Sequence, residues 1–345
     1  MISVSEVRTY DEGIAWDRYV LSHAMASGYQ LMGWRRVVEK AFGHRTFYLM
    51  VRDEHGQVRG VLPLVFVSSR LFGRFLVSMP FVNYGGVLTD DFDAQRALLE
   101  AAASRAIHLG ATHIELRHER LLYLDWASKQ HKVSMRLDLP REPEALWNRF
   151  PSKLRSQIRR ALKEHLTVRI EGIEILDDFY RVFARNMRDL GTPVYGRSFF
   201  EAILEEFPKD ARVCAVYLGQ QPVAAGFLYG FKNTLEIPWA SSDRRYNRLS
   251  ANMLLYNAAL EYACREGFAT FDFGRSTPGG GTHRFKEQWG AHPVPLYWYH
   301  WSRDGRPVPD VSPANAKYDR AIQVWKRLPV TITRLIGPSI VKNIP

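Results

Sequence analysis

Apolar and polar positions repeat in two matching arrangements along this chain. "FYLMVRDEHGQVRGVLPLVFV" (47–67) reads as two apolar strands around a turn containing Gly56. "VCAVYLGQQPVAAGFLYGF" (213–231) repeats that unit around Gly219. An alanine-rich helix, a glycine and a strand follow each: "AQRALLEAAASRAIHLGATHIELR" in the first half, "ANMLLYNAALEYACREGFATFDFG" in the second. Gly110 and Gly267 fit the position just past a helix, where φ is positive. The offset of about 160 residues predicts two copies of one α/β module. "PREPEALWNRFPS" (140–152), rich in proline and charge, is the natural junction. The expected divisions are a domain at 1–140, a second at 141–310 and a basic amphipathic tail at 311–345.

The junction leads into the most charged element. Arg149, Lys153, Arg155, Arg159, Arg160 and Lys163 come with no acidic residue among them. Leu154, Ile158, Ala161 and Leu162 form one buried stripe of a helix, and Arg155, Arg159 and Lys163 a neighbouring stripe at i, i+4, i+8. Like charges at that spacing repel by a few tenths of a kcal/mol, so the stripe is either a solvated face or a phosphate contact. The whole-chain charge of +11 and pI near 9.6 favour a polyanionic partner. A chain of 345 residues with 46% hydrophobic content accommodates two cores. Cys214 and Cys264 lack metal-ligand or disulfide-framework spacing. No basic-then-apolar leader and no apolar run of transmembrane length is visible, so the expected location is the cytoplasm.

A second unusual stretch is "FDFGRSTPGGGTHRFKEQWG" (271–290). Phe271-Asp272-Phe273 alternates as a strand does, Gly274 ends it, and Thr282 reads as the cap of a following helix with Arg284, Lys286 and Trp289. A glycine-rich turn feeding a helix leaves backbone N–H groups free to meet an anion, although the same composition suits a mobile surface loop. The P-loop pattern is absent, as are G-x-S-x-G and H-E-x-x-H, and the histidines are scattered. Neither metal nor bound cofactor is expected.

"PSKLRSQIRRALKEHLTVRI", "LGTPVYGRSFF" and "FDFGRSTPGGGTHRFKEQWGAHPVPLYW" resemble the FemAB-like proteins, the Fem-type peptidyltransferase branch of the GNAT superfamily. The likeness is strongest to members found alongside exosortase (PEP-CTERM) systems, and "FVNYGGV" (81–87) resembles the family's first-domain loop. The resemblance implies an α/β fold of mixed α+β sheets, with two tandem GNAT-like acyltransferase domains sharing a cleft. Fem-type enzymes move an aminoacyl group from aminoacyl-tRNA onto an amino group of a peptidoglycan precursor. By this likeness Lys286 is the cation facing the donor phosphate or the developing oxyanion, as amine attack on a carbonyl requires. Asp272 is the leading candidate for the base, or else a structural acid paired with Arg275. Tyr84, Arg155, Tyr195, Trp239, Arg275, Gly279, Gly280 and Gly281 are candidate substrate-binding residues, with Ser241 and Ser242 lining the same region.

The chain also departs from acyl-CoA-binding GNAT enzymes. Their phosphate cradle, R/Q-x-x-G-x-G/A, corresponds here to "RYNRLS", with Arg248 and Ser250 in place of the glycines. Arg244, Arg245 and Arg248, with Arg159 and Lys163, are then the candidate donor-phosphate residues, acting through side chains. The favoured donor is aminoacyl-tRNA, with acyl-CoA the alternative. The acceptor is a nucleotide- or lipid-linked cell-envelope precursor or exopolysaccharide intermediate. A non-catalytic module binding a diphosphate-linked sugar or lipid is the other class. In "KYDRAIQVWKRLPVTITRLIGPSIVKNIP", Pro329 and Pro338 exclude one long helix. Such a tail packs on the second domain, or makes a peripheral contact with the inner face of an anionic membrane.

Overall fold

The computed structural model describes residues 2–69, 72–122, 124–305 and 318–344. Its strands begin with β1 (Ser3–Glu6), β2 (Arg45–Arg52), β3 (Val58–Ser69), β4 (Gly73–Val77), β5 (His113–His118) and β6 (Ala127–Lys129). There follow β7 (Val133–Asp138), β8 (Leu166–Glu171), β9 (Ala211–Leu218), β10 (Gln221–Phe231), β11 (Thr234–Ser242) and β12 (Thr270–Ser276). The last two are β13 (His292–Pro295) and β14 (Tyr297–Ser302).

They form two seven-stranded sheets, β1-β2-β3-β4-β5-β14-β6 and β8-β9-β10-β11-β12-β7-β13. Position for position the two orders correspond. In both, the fourth and fifth strands run parallel: β4 beside β5, and β11 beside β12. The duplication legible in the hydrophobic pattern is therefore real at the level of topology.

One step of the topology departs from a linear division near 140 and 310. β7 follows β6 in sequence but pairs with β12, while β14 follows β13 but pairs with β5 and β6. Each sheet thus takes its sixth strand from the other sequence repeat, β14 in the first and β7 in the second. The first compact unit accordingly holds the residues up to His131 together with β14. The second holds Lys132–Val294 and the C-terminal helices.

Local chemistry explains the repeated helix–strand step. Asp91 caps the helix Phe92–His108, its carboxylate accepting from the N–H groups of Asp93 and Ala94. At the other end Gly110 takes φ +64°, and Ala111 N–H donates to Ala106 O. In the second copy Gly267 takes φ +79°, and Phe268 N–H donates to Ala263 O. Only a residue without Cβ adopts that turn without strain. Each sheet buries one face under its helix. Leu98, Ala102 and Ala106 join the first core, and Leu255, Ala259 and Ala263 the second.

Leu154, Ile158 and Ala161 are buried as their spacing predicts, but Leu162 at the end of the helix Ser152–Leu162 is exposed. The tail forms two helices, Asp319–Arg327 and Val330–Val341, both packed against the helix Leu176–Leu190. Pro329 separates them, whereas Pro338 lies inside the second. Residues 311–317 of the expected tail fall outside the described residues. Among the described residues no helix is long and apolar enough to cross a membrane.

Candidate functional site

The second sheet comes apart where its parallel strands meet. β11 and β12 pair only at Thr234–Thr270, Leu235–Phe271 and Glu236–Asp272, and then run on, β11 to Ser242 and β12 to Ser276. Gly274 does not end the strand. It takes φ +75° within β12, whose register against β7 shifts between Asp272 and Arg275. Such a bulge re-aims backbone groups. Here the carbonyl oxygens of Gly274 and Arg275 accept hydrogen bonds from Lys286 Nζ at 2.9 and 3.0 Å.

Lys286 reaches them from the short helix Gly281–Glu287. Gly280, not Thr282, is the N-cap, and its N–H closes a turn onto Thr277 O. Gly279 takes φ +71° and Arg284 donates to its carbonyl, so the glycine run is a defined turn. Lys286 is only 7% exposed, and burial brings its pKa down to about 8, against the pull of the Asp272 and Glu236 carboxylates. Two of its three hydrogens meet carbonyls. The third has no protein partner among the described residues.

Asp272 does not have the geometry of a general base. It is 0% exposed, and its carboxylate accepts from Ser134 Oγ, Arg136 Nε and the Gly274 N–H. No face of it is open to a substrate ammonium. It forms an ion pair with Arg136 on the adjoining β7, at 3.1 Å. The first sheet repeats the arrangement: Glu115, in the same register on β5, faces His300 of β14 at 3.1 Å. A carboxylate paired with a basic residue across this seam is thus a feature of both copies.

The copies differ beyond that pair. In the first, Gly85 and Gly86 donate their N–H groups to Arg117 O, while the Arg117 guanidinium binds the carbonyls of Met79 and Val82. Chain therefore occupies the place beside β5. Tyr84 belongs to this plug, buried with its ring edge against Tyr29 at 5.3 Å.

In the second copy a cavity of about 200 Å³ remains, lined by Asn186, Ser241, Ser242, Asn252, Tyr256 and Phe285 among others. Asn186 Nδ2 donates to Ser241 Oγ at 3.0 Å. The two serines expected here line it; Trp239 and Tyr195 do not. Trp239 is buried among Phe199, Phe200 and Phe227, with ring centroids 5.2–5.7 Å away. Tyr195 joins the same aromatic cluster.

The two predicted cationic groups lie together. Arg160, on the basic helix, donates to the carbonyl of Arg248 at 3.1 Å. Arg159, Lys163, Arg244 and Arg248 are exposed, and Arg159 covers the face of Trp147. Arg155 is half-buried, with its Nε unpartnered. Arg245 must be set apart: its guanidinium is committed to the buried Asp243, at 2.6–3.1 Å. Ser250 takes φ +54°, the left-handed conformation glycine favours, directly before the helix Ala251–Arg265. The backbone bend survives without the glycine.

Several participants were missed from sequence. Ser134 and Arg136 lie about 138 residues from Asp272 and carry no motif. Asn186, Asn252 and Tyr256 sit on helices whose apolar spacing explains their neighbours but marks no chemistry.

Residues 148–287 match the family described as Acetyltransferase (GNAT) domain. No curated protein matches the chain. Among solved structures, FemX aligns with a TM-score of 0.65 and 18% identity, over 86% of this chain and 97% of that one. A tandem GNAT protein from the clavulanic acid biosynthesis pathway, determined without AcCoA, aligns at 0.57 and 12% identity, over 88% and 98%. L-PGS from Bacillus licheniformis aligns at 0.55 and 13% identity, over 95% and 97%. The two mixed sheets thus share the fold of these solved structures, and the segment matched by the GNAT family covers much of the copy that keeps the cavity and Lys286.

Proposed function

We propose that the protein is an N-acyltransferase of the Fem type, moving an aminoacyl group from aminoacyl-tRNA to an amine on a cell-envelope precursor. The observation that carries this is Lys286, a buried cation tied to two carbonyls at the parting of β11 and β12, with one N–H left over. Attack of an amine on the donor ester forms a C–N bond and builds negative charge on the carbonyl oxygen. The ester C–O bond then breaks, and the amine's proton leaves with the alkoxide. A preplaced ammonium in a water-poor site stabilises that oxyanion strongly. Asp272, with Ser134 and Arg136, acts as a positioning group that holds the bulge and so aims the two carbonyls.

The basic surface supports this choice of donor. Arg248 stands where a CoA-binding cradle would present glycine backbone, and the helix carrying Arg155, Arg159 and Lys163 meets that segment through the bond from Arg160 to the Arg248 carbonyl. Exposed guanidinium groups suit an extended phosphate backbone, and a fold shared with FemX is consistent with that donor. The resemblance to exosortase-associated proteins favours an acceptor in envelope or exopolysaccharide assembly. The test offers purified protein charged tRNA and acyl-CoA in parallel, measuring equilibrium binding and acylation of a primary amine. Saturable binding and turnover with acyl-CoA alone would overturn the donor assignment while leaving the acyltransferase reading standing.

A further inference from the structure

The C-terminal helices use only one side to hold the fold. Trp325, Thr333, Gly337 and Val341 are buried, and Arg188 donates to Leu328 O at 2.9 Å. Gly191 and Gly337 mark how closely the tail approaches: a Cβ on Gly191 would lie 2.5 Å from Ile322, and one on Gly337 3.0 Å from the Val194 backbone. The opposite sides are unlike an ordinary solvated surface. Ile332, Leu335 and Ile336 fall at i, i+3, i+4 on the outer side of the second helix, with Leu335 79% exposed. Val324 is exposed on the first helix, flanked at i−4 and i+3 by Arg320 and Arg327.

The charge on this segment has one sign. Between residues 318 and 344 Arg320, Lys326, Arg327, Arg334 and Lys342 face a single acid, Asp319. None of the five basic side chains forms an ion pair among the described residues; Arg334 instead covers the Tyr180 ring at 5.0 Å.

We propose that this outer face docks on an anionic phospholipid bilayer, the aliphatic side chains entering the acyl boundary and the basic ones meeting headgroup phosphates. Apolar residues on one helical side, bordered by cations and nearly free of acids, are what interfacial binding requires. A second copy of the chain fits poorly, because a two-fold contact would set each basic stripe against itself. An acidic protein partner fits less well too. Aromatic anchors dominate such interfaces, and the segment's tryptophan faces inward. This surface does not depend on the chemistry assigned to Lys286.

Full-length protein is spun with vesicles of equal phosphatidylglycerol and phosphatidylcholine, and in parallel with phosphatidylcholine alone. Binding is expected to the anionic vesicles, weakening as salt rises through the range where the screening length shortens. Ile332→Glu with Leu335→Glu should lower partitioning by at least about tenfold, since each fully inserted aliphatic side chain accounts for roughly a decade or more. Arg320→Gln with Arg327→Gln, which leaves every buried contact in place, should lower it by about tenfold or more and reduce the salt dependence. Equal sedimentation with both vesicle types, or wild-type binding by the arginine variant, would overturn the proposal. So would a change of oligomeric state in the glutamate variant without any vesicle binding by the wild type, which would make the face a self-interface.

Discussion

Replacing Lys286 by methionine separates a catalytic cation from a structural one. Burial lowers its pKa from 10.5 to about 8, so keeping it charged at neutral pH costs about 3 kcal/mol at roughly 1.4 kcal/mol per unit. Its hydrogen bonds to the Gly274 and Arg275 carbonyls, at about 1.5–3 kcal/mol each for a charged donor, offset that cost. Methionine removes both terms together and leaves two carbonyls unpaired, at about 1–3 kcal/mol each. Where the first two terms cancel, the net change is that of the two unpaired carbonyls, a loss of about 2–6 kcal/mol. Turnover should fall by about 10²-fold or more, the usual loss for one oxyanion donor.

The pH dependence gives a second, independent readout. The stabilising species is the ammonium, so wild-type kcat/KM should fall as pH rises through about 8. Lys286→Arg stays charged and should lose that descending limb if it still turns over. For stability the sign is opposite. The folded-state pKa lies below that of the free amine, so the penalty is full below pH 8 and fades as pH climbs toward 10.5. Donor consumption in the presence of a simple primary amine, measured from pH 6 to 10 beside thermal melts, tests both. Unchanged turnover in the methionine variant would refute the assignment, and a loss of stability well beyond about 6 kcal/mol would make Lys286 a strut.

Two further outcomes follow from the same geometry. Asp272→Asn should cost about 3 kcal/mol in denaturant unfolding, because Arg136 loses its charged partner, and a variant of full stability but no turnover would restore Asp272 as a base. Changing Arg155, Arg159 and Lys163 together to glutamine should flatten the log–log salt dependence of tRNA binding by up to about three units if all three contact phosphates on duplex regions. An unchanged slope would make them a solvated face.

The sequence by itself determined the elements and their duplication. Strand pairs around Gly56 and Gly219, and helix ends at Gly110 and Gly267, follow from local rules: alternation of apolar positions, and the freedom of a residue without Cβ. It also marked the basic helix, whose unbalanced charge stripe is visible one residue at a time, while Lys286 was marked only by the likeness to Fem-type proteins. Three things were decided only by tertiary structure. The exchange of β7 and β14 between sheets is set by pairing among strands far apart in the chain, which no local pattern encodes. The role of Asp272 depends on Ser134 and Arg136, brought to it across that exchanged strand, so a carboxylate that looks poised for proton transfer is enclosed. Composition likewise makes Trp239 and Tyr195 fit a cleft or a core equally well, and the helices Leu176–Leu190 and Arg197–Glu206 draw them into the core. The tail shows the same limit from the other side. Its apolar and basic residues are plain in the sequence, but which of them face inward depends on the helix beneath them.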